Sequence, residues 1–153
     1  MQKLKLALTL VPMFLSTSAF AWDFQSDDRR CWVSNTPSAS RSAPPDRGDT
    51  GISVLHDKAE GTRYSISILS GLPDVSSADV SVDIDGKSFV VLPWGGAAFP
   101  KSGQPELDMV QAMKAGSTLT VTWKLEGMTI EDVYSLLGFT AGVTVMDRMC
   151  PAA

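Results

Sequence analysis

The segment Val80-Ser81-Val82-Asp83-Ile84-Asp85-Gly86-Lys87-Ser88-Phe89-Val90-Val91 decides the fold of this chain. Apolar and polar side chains alternate in its first half, which is typical of a strand with one buried face. Asp85-Gly86 is a strong hairpin signal because both residues accept the backbone angles of a tight two-residue turn. Such a turn gives the pairs Ile84 with Lys87, Val82 with Phe89, and Val80 with Val91. The segment therefore predicts an antiparallel hairpin whose apolar residues share one face.

Outward from this hairpin, several more segments show a strand pattern. They span residues 31–34, 52–56, 64–68 and 118–126, and a short strand or irregular segment passes through Tyr134-Ser135-Leu136. The pattern is clearest in 118–126, where the apolar residues that face one way are Leu119, Val121, Trp123 and Leu125. Many short alternating strands predict an antiparallel β-sandwich.

Two short helices are predicted at the periphery of this sandwich. The first opens at Pro105 and ends at Gly116, and its apolar arc is Leu107, Met109, Val110 and Met113. Its first turn is acidic through Glu106 and Asp108, as the helix dipole prefers. The second begins at Phe139-Thr140 with Thr140 as N-cap, and its buried face holds Val143, Met146, Met149 and Cys150. The predicted fold class is therefore mostly β.

Three stretches are predicted to lack regular structure. Residues 22–30 form a short polar arm. Residues 35–51 are rich in Pro, Ser, Asp and Gly, which favours an exposed, mobile loop. Residues 93–104 form an irregular loop that carries Trp94 and Phe99.

The first 21 residues have the order of a secretory signal peptide. Lys3 and Lys5 precede an apolar run over residues 6–15, and Ala19-Phe20-Ala21 supplies a small-x-small cleavage site. The apolar run is about half the length that spans a bilayer, which disfavours the alternative of an uncleaved anchor. We expect cleavage between Ala21 and Trp22. A single periplasmic or secreted domain over 22–153 then remains, with no stable membrane span.

Charge and cysteine content fit this location. The whole chain has a net charge of −4, and cleavage removes Lys3 and Lys5 but no acidic residue, so nucleic acid is disfavoured as a partner. Cys31 and Cys150 form an even pair, which in an oxidising compartment predicts a disulfide worth about 4–5 kcal/mol. The alternative is two free buried thiols. Two distant cysteines and one histidine are too few ligands for zinc.

Candidate catalytic and metal residues are few. His56 is the one histidine, and no nucleophile elbow accompanies it, so we interpret it as an ordinary surface residue. Asp83-Ile84-Asp85-Gly86 resembles the start of a calcium loop but lacks the later ligands, and the hairpin turn explains the same residues. We therefore predict no catalytic residue, no metal site and no cofactor.

Binding is the remaining hypothesis. Trp94 and Phe99 in a loop indicate a possible binding surface, and the loop 35–51 is a further candidate. The alternative is that both aromatic residues close the end of the sandwich. Arg47-Gly48-Asp49 is an adhesion-type tripeptide in the same predicted loop, although a tripeptide of this kind also occurs by chance.

The carboxy-terminal third resembles the invasion-associated locus B family of exported bacterial proteins. The resemblance rests on Ala112-Met113-Lys114-Ala115-Gly116, the strand around Val121, the block Asp132-Val133-Tyr134-Ser135-Leu136-Leu137-Gly138-Phe139-Thr140-Ala141, and Cys150. Gly142 departs from the family, which usually has a helix former there. The resemblance implies an exported, β-rich protein of Gram-negative bacteria, and some relatives are linked to host-cell invasion. It supplies no catalytic residue and no ligand.

The expected function is that of an exported, non-enzymatic protein of the bacterial envelope that binds a protein or another envelope component. Two alternatives stay open: a small secreted hydrolase, and a host-cell adhesin or invasion factor. The sequence names neither the partner nor the oligomeric state.

Overall fold

The computed structural model of the chain describes residues 22–151. The signal peptide expected at residues 1–21 and its cleavage site lie outside this described part. The elements are β1 (Asp23–Ser26), β2 (Arg30–Asn35), β3 (Ala39–Arg41), β4 (Gly51–Asp57), β5 (Thr62–Leu69), β6 (Asp79–Ile84), β7 (Lys87–Trp94), β8 (Ala97–Pro100), α1 (Gln104–Ala115), β9 (Thr118–Leu125), β10 (Met128–Ser135) and α2 (Phe139–Met149). Between residues 22 and 151, no helix is both long and apolar enough to cross a bilayer.

The strands form one antiparallel sheet that curls around a core. Its strand order is β1-β2-β4-β5-β8-β7-β6-β9-β10-β3. Strand β7 belongs to both halves of the sheet, because residues 87–90 pair with β6 and residues 91–94 pair with β8. The two halves bury their inner side chains in one apolar cluster, with Val54 from one half and Val121 from the other. The predicted mostly β architecture with two helices and one disulfide is confirmed.

The central hairpin has the predicted register. Ile84 pairs with Lys87 and Val82 with Phe89. Asp85 and Gly86 have φ values of 48° and 89°, as a two-residue turn that matches the strand twist requires. The alternating pattern and the turn chemistry therefore act together to fix this register.

Helix α1 fills a gap in the sheet. Strand β5 pairs with β8 only at Ile68 and Leu69, so the N–H of Ile66 has no strand opposite it. Glu106 of α1 accepts that N–H at 2.7 Å. Glu106 is consequently buried, and burial raises its pKa. The prediction of an acidic first turn for the helix dipole thus missed the main role of this carboxyl group.

The apolar faces of both helices are predicted correctly in their centres and wrongly at their ends. Helix α1 buries Met109, Val110 and Met113, whereas Leu107 remains partly exposed. Helix α2 buries Val143 and Met146, but Met149 at its last turn is 63% exposed.

Gly138, rather than Thr140, begins α2. Gly138 occupies the N-cap position with φ of 87°, a left-handed conformation that favours glycine. The Thr140 hydroxyl donates instead to the carbonyl oxygen of Lys114 at 3.1 Å, which ties α2 to the end of α1. The predicted Thr140 cap is therefore wrong.

Cys150 closes the domain onto β2. It forms the predicted disulfide with Cys31, with a Cα–Cα distance of 6.4 Å. Helix α2 lies close to this strand, since a Cβ atom on Gly142 would stand 3.2 Å from Cγ1 of Val33. The close approach explains why glycine, a poor helix former, occupies this position.

The predicted polar arm at residues 22–30 is mostly exposed, but part of it has regular structure. Residues 23–26 form β1, which pairs with residues 31–34 of β2. Trp22 is buried, its indole Nε1 donates to the carbonyl oxygen of Ser135 at 3.0 Å, and its ring packs edge-on against Phe139. Trp22 therefore anchors the start of the segment to the core, and the pairing with β2 holds the residues that follow it.

Candidate functional site

The outer face of β7 carries exposed apolar side chains. Val90, Leu92 and Trp94 are 80%, 56% and 76% exposed. Because successive side chains of a strand point to opposite faces, these three point away from the core while Val91 between them is buried. Strand β7 is therefore apolar on both faces. Burial in the core explains the apolar residues of the inner face but not those of the outer face.

The β7–β8 hairpin extends this apolar surface sideways. Leu92 pairs with Phe99, and Ala97 lies between Trp94 and Leu69. The Trp94 and Phe99 rings are 6.5 Å apart, and Leu69 is 46% exposed. We call Leu69, Val90, Leu92, Trp94 and Phe99 the apolar stripe. A hollow of about 660 Å³ adjoins its Trp94 end.

Trp94 and Phe99 lie on strands, and not in the irregular loop predicted at residues 93–104. Trp94 ends β7 and Phe99 lies within β8, and Gly95-Gly96 forms the turn between them. Pro93 and Pro100 led to the loop prediction, because proline is rare within strands. Proline is nevertheless compatible with strand positions that donate no ladder hydrogen bond. The Gly-Gly pair was the available hairpin signal.

The apolar stripe ends sharply at β6. Val90 pairs with Ser81, which in turn pairs with Thr122 on β9. One row further along, Asp83 pairs with Thr120. The outer face of β6 and β9 is thus polar, as expected of a solvated sheet face. The apolar stripe therefore has a polar border on its β6 side.

The loop 35–51 is anchored to the sheet. It contains β3, which pairs with β10, and the Gly48 N–H donates to the carbonyl oxygen of Gly71 at 2.8 Å. The Arg47 side chain is only 5% exposed. Most residues of the loop are exposed, as predicted. The expected display of Arg47-Gly48-Asp49 is wrong, because the arginine side chain points into the protein.

Arg47 enters a buried polar network centred on Asp132. Its Nη1 and Nη2 lie 2.7 and 2.6 Å from the two carboxylate oxygens of Asp132, and its Nε donates to the carbonyl oxygen of Ser70. Trp123 Nε1 and the Ser40 hydroxyl also donate to Asp132, at 3.0 and 2.6 Å. Asp132 is fully buried. The network connects the two halves of the curled sheet and has the character of a structural bridge.

His56 is buried beside the disulfide. It lies opposite Cys31 in the β2–β4 pair and is 3% exposed, so its prediction as a surface residue is wrong. Ile52 and Val54 precede it on the same face of β4, and this alternation was the signal for burial. Burial lowers the pKa of His56, against the attraction of the Asp147 carboxylate 3.5 Å from its Nε2.

A β-bulge places the Tyr64 side chain beside His56 and Asp147. The register of β4 and β5 shifts between Leu55 and Asp57, and Tyr64 has a φ of 62°, which is rare outside glycine. The Tyr64 hydroxyl donates to Asp147 at 2.9 Å, and its ring packs edge-on against His56 at 4.9 Å. The adjoining hollow measures about 10 Å³, roughly enough for one water molecule.

The carboxylates of the segment that resembles a calcium loop accept hydrogen bonds from backbone N–H groups. Asp83 accepts the N–H of Gly86 at 2.8 Å, and Asp85 accepts the N–H groups of Ser117 and Thr118. In the part of the chain that the structure describes, no three histidine, cysteine or carboxylate side chains form a metal-binding group.

Comparison with protein-family models and with curated proteins gives no match. Among solved structures, the chain has the same fold as invasion associated protein B from Bartonella henselae, with a TM-score of 0.55 and 14% sequence identity. The alignment covers 84% of this chain and 93% of that chain. The structural similarity that the carboxy-terminal residues predicted is therefore confirmed at the level of the fold.

Proposed function

We propose that this chain is an exported, non-enzymatic protein of the bacterial envelope that binds a protein or another envelope component through the apolar stripe. The observation that carries the proposal is the exposed row Val90, Leu92 and Trp94 on β7, which borders the polar outer face of β6 and β9. Contiguous exposed apolar residues with a polar border mark interaction sites.

The stripe has the properties of an energetic anchor. Trp94 is the side-chain type most enriched at the centres of interfaces, and it is 76% exposed here. It stands on a paired strand next to a two-residue turn, so little backbone conformational entropy is lost when a partner covers it. The Phe99 ring lies 6.5 Å from the Trp94 ring and adds to the apolar surface.

The disulfide and the amino-terminal sequence support export. Cys31 and Cys150 form a structural disulfide, which persists in oxidising compartments. Lys3, Lys5 and Ala19-Phe20-Ala21 have the order of a cleavable signal. The shared fold with invasion associated protein B agrees with the family resemblance of the sequence, which implies export.

The non-enzymatic part of the proposal is supported by the pairing of several buried polar groups with one another. Asp132 and Arg47 neutralise each other in the core, and the Tyr64 hydroxyl is engaged by Asp147. The hollow beside His56 is far smaller than the cavities that hold substrates.

Affinity capture tests the proposal. Immobilised wild-type protein, a Leu92→Ser/Trp94→Ser variant and a Ser81→Ala/Thr122→Ala control are incubated with envelope extract. We expect the control to recover the same envelope components as wild type and the stripe variant to lose at least nine-tenths of them. Equal recovery by all three would reject the stripe as the binding surface.

A further inference from the structure

The apolar stripe borders an edge of β7 that no strand covers. Residues 87–90 pair with β6 on one side. On the other side β8 pairs only as far as Pro100, opposite Val91, and the chain then turns away into α1. Within residues 22–151, the second edge of 87–90 therefore has no strand partner.

The hairpin register determines which backbone groups this edge presents. Ile84 and Lys87 flank a two-residue turn, so they exchange hydrogen bonds with each other, and so do Val82 and Phe89. The alternate residues Ser88 and Val90 direct their N–H and C=O groups to the open side. Both residues are exposed. The edge thus offers four backbone groups to an incoming chain.

A groove follows this open edge. It measures about 440 Å³, and its lining includes Val90, Leu92, Pro100 and Pro105, with Lys87 and Lys101 among the charged residues. Asp108 also borders the groove, and its carboxylate accepts a hydrogen bond from Gln104 Nε2 at 2.7 Å. The lining is therefore mostly apolar, and its charged groups are two ammonium groups and one carboxylate.

We propose that this groove binds an extended peptide segment of a partner protein, in which apolar and acidic side chains alternate, as an added strand on β7. The inference rests on the proposed function, since the apolar stripe supplies the apolar half of the contact. Ser88 and Val90 hydrogen bond the peptide backbone, and Val90 and Leu92 cover its apolar side chains. Lys87 and Lys101 pair with its carboxylates.

The two lysines favour an acidic partner over a second copy of this chain. They lie at the groove of a protein whose net charge is −4. Lysine on an open strand edge opposes pairing with an identical edge, because like charges then meet across the new strand pair. A peptide with carboxylates at these positions removes that repulsion.

Selection of peptides provides the test. A phage-displayed library of short random peptides is selected on immobilised, disulfide-closed wild-type protein, and the affinities of the enriched peptides are measured for Ser88→Pro and its matched control Ser88→Ala. Proline removes the Ser88 N–H from the open edge and leaves the β6 ladder intact, because that N–H does not face β6. We expect enriched peptides with alternating apolar and acidic residues. They should bind Ser88→Ala like wild type and Ser88→Pro about tenfold more weakly.

A second measurement does not depend on the fold of the proline variant. Methylation of alternate backbone nitrogens of the best peptide removes its hydrogen-bond donors on one edge, and binding to wild type should again fall about tenfold. The inference is overturned if no sequence is enriched, if Ser88→Pro binds like Ser88→Ala, or if the methylated peptide binds undiminished. If capture of envelope components still requires Trp94, the proposed function survives such a result. If capture does not require Trp94, the proposed function fails independently.

Discussion

Replacement of Arg47 by methionine should destabilise the protein strongly. The substitution keeps most of the aliphatic volume but leaves the Asp132 carboxylate fully buried without its cation. Asp132 would retain the hydrogen bonds from Trp123 and Ser40, which do not neutralise its charge. Removal of one partner of a buried ion pair typically costs about 3–5 kcal/mol. The Ser70 carbonyl group also loses its donor, so we expect a value within the upper half of that range.

Arg41 provides the matched control. It pairs with Glu131 at 2.8 Å on the surface of the same sheet, where the two side chains are 73% and 35% exposed. An exposed pair contributes about 0–1 kcal/mol, so Arg41→Met should be nearly neutral. The double variant Arg47→Met/Asp132→Leu removes both buried charges and should recover most of the stability.

Urea denaturation followed by tryptophan fluorescence measures these free energies of unfolding. The slope against urea reports whether a variant changes the denatured state, so midpoints are compared only at equal slopes. An Arg47→Met cost below about 1 kcal/mol, no larger than that of Arg41→Met, would refute the buried bridge and would restore Arg47 to an exposed loop.

Three further predictions concern the core. Thiol titration of the unfolded, non-reduced protein should find no free thiol, and Cys31→Ser/Cys150→Ser should lose about 5 kcal/mol of stability in urea denaturation, since the disulfide closes a separation of 119 residues. Glu106→Ala should cost about 1–3 kcal/mol because the Ile66 N–H loses its acceptor, whereas Glu106→Gln should be neutral or stabilising at pH 7, where the raised pKa of Glu106 makes its ionised form unfavourable. The free energy of unfolding should fall as the pH drops below about 6.5, because the unfolded chain protonates His56 before the folded protein does, and urea midpoints of His56→Gln between pH 5 and 8 should lack this decrease.

The sequence predicted the parts of the fold that local patterns determine. The Asp85-Gly86 turn and the alternation around it specify both pairing and register, and the structure has them at Ile84–Lys87 and Val82–Phe89. Pro105 and Gly116 mark the two ends of α1 by their backbone restrictions. These signals lie within a few residues of the structure they produce.

Contacts between distant segments escaped the sequence reasoning. Trp22 is anchored by Ser135 and Phe139, Arg47 by Asp132, and nothing in the neighbouring residues of either one names its partner. Both lie in stretches whose composition is typical of loops, so the neighbouring sequence predicted that they are exposed. The burial of His56, in contrast, could be predicted locally, because the alternation of apolar residues in β4 places His56 on the buried face. We nevertheless predicted exposure because the side chain is polar.

The candidate site combines both cases. Trp94 and Phe99 were identified from their predicted place in a loop, whereas Val90 was assigned only to a strand and Leu92 to no element. The apolar stripe exists because β7 leaves one half of the sheet for the other, a topological change that no short segment encodes.

The apolar stripe as a binding surface is the central claim, and site-specific photo-crosslinking in the producing cells tests it most directly. A photoreactive phenylalanine analogue replaces either Trp94 on the stripe or Thr122 on the polar face of β9, and both proteins are irradiated at equal abundance. We expect a discrete crosslinked species at position 94 and none at position 122. Equal crosslinking at both positions, or crosslinking at position 122 alone, would contradict the claim that the stripe binds a partner.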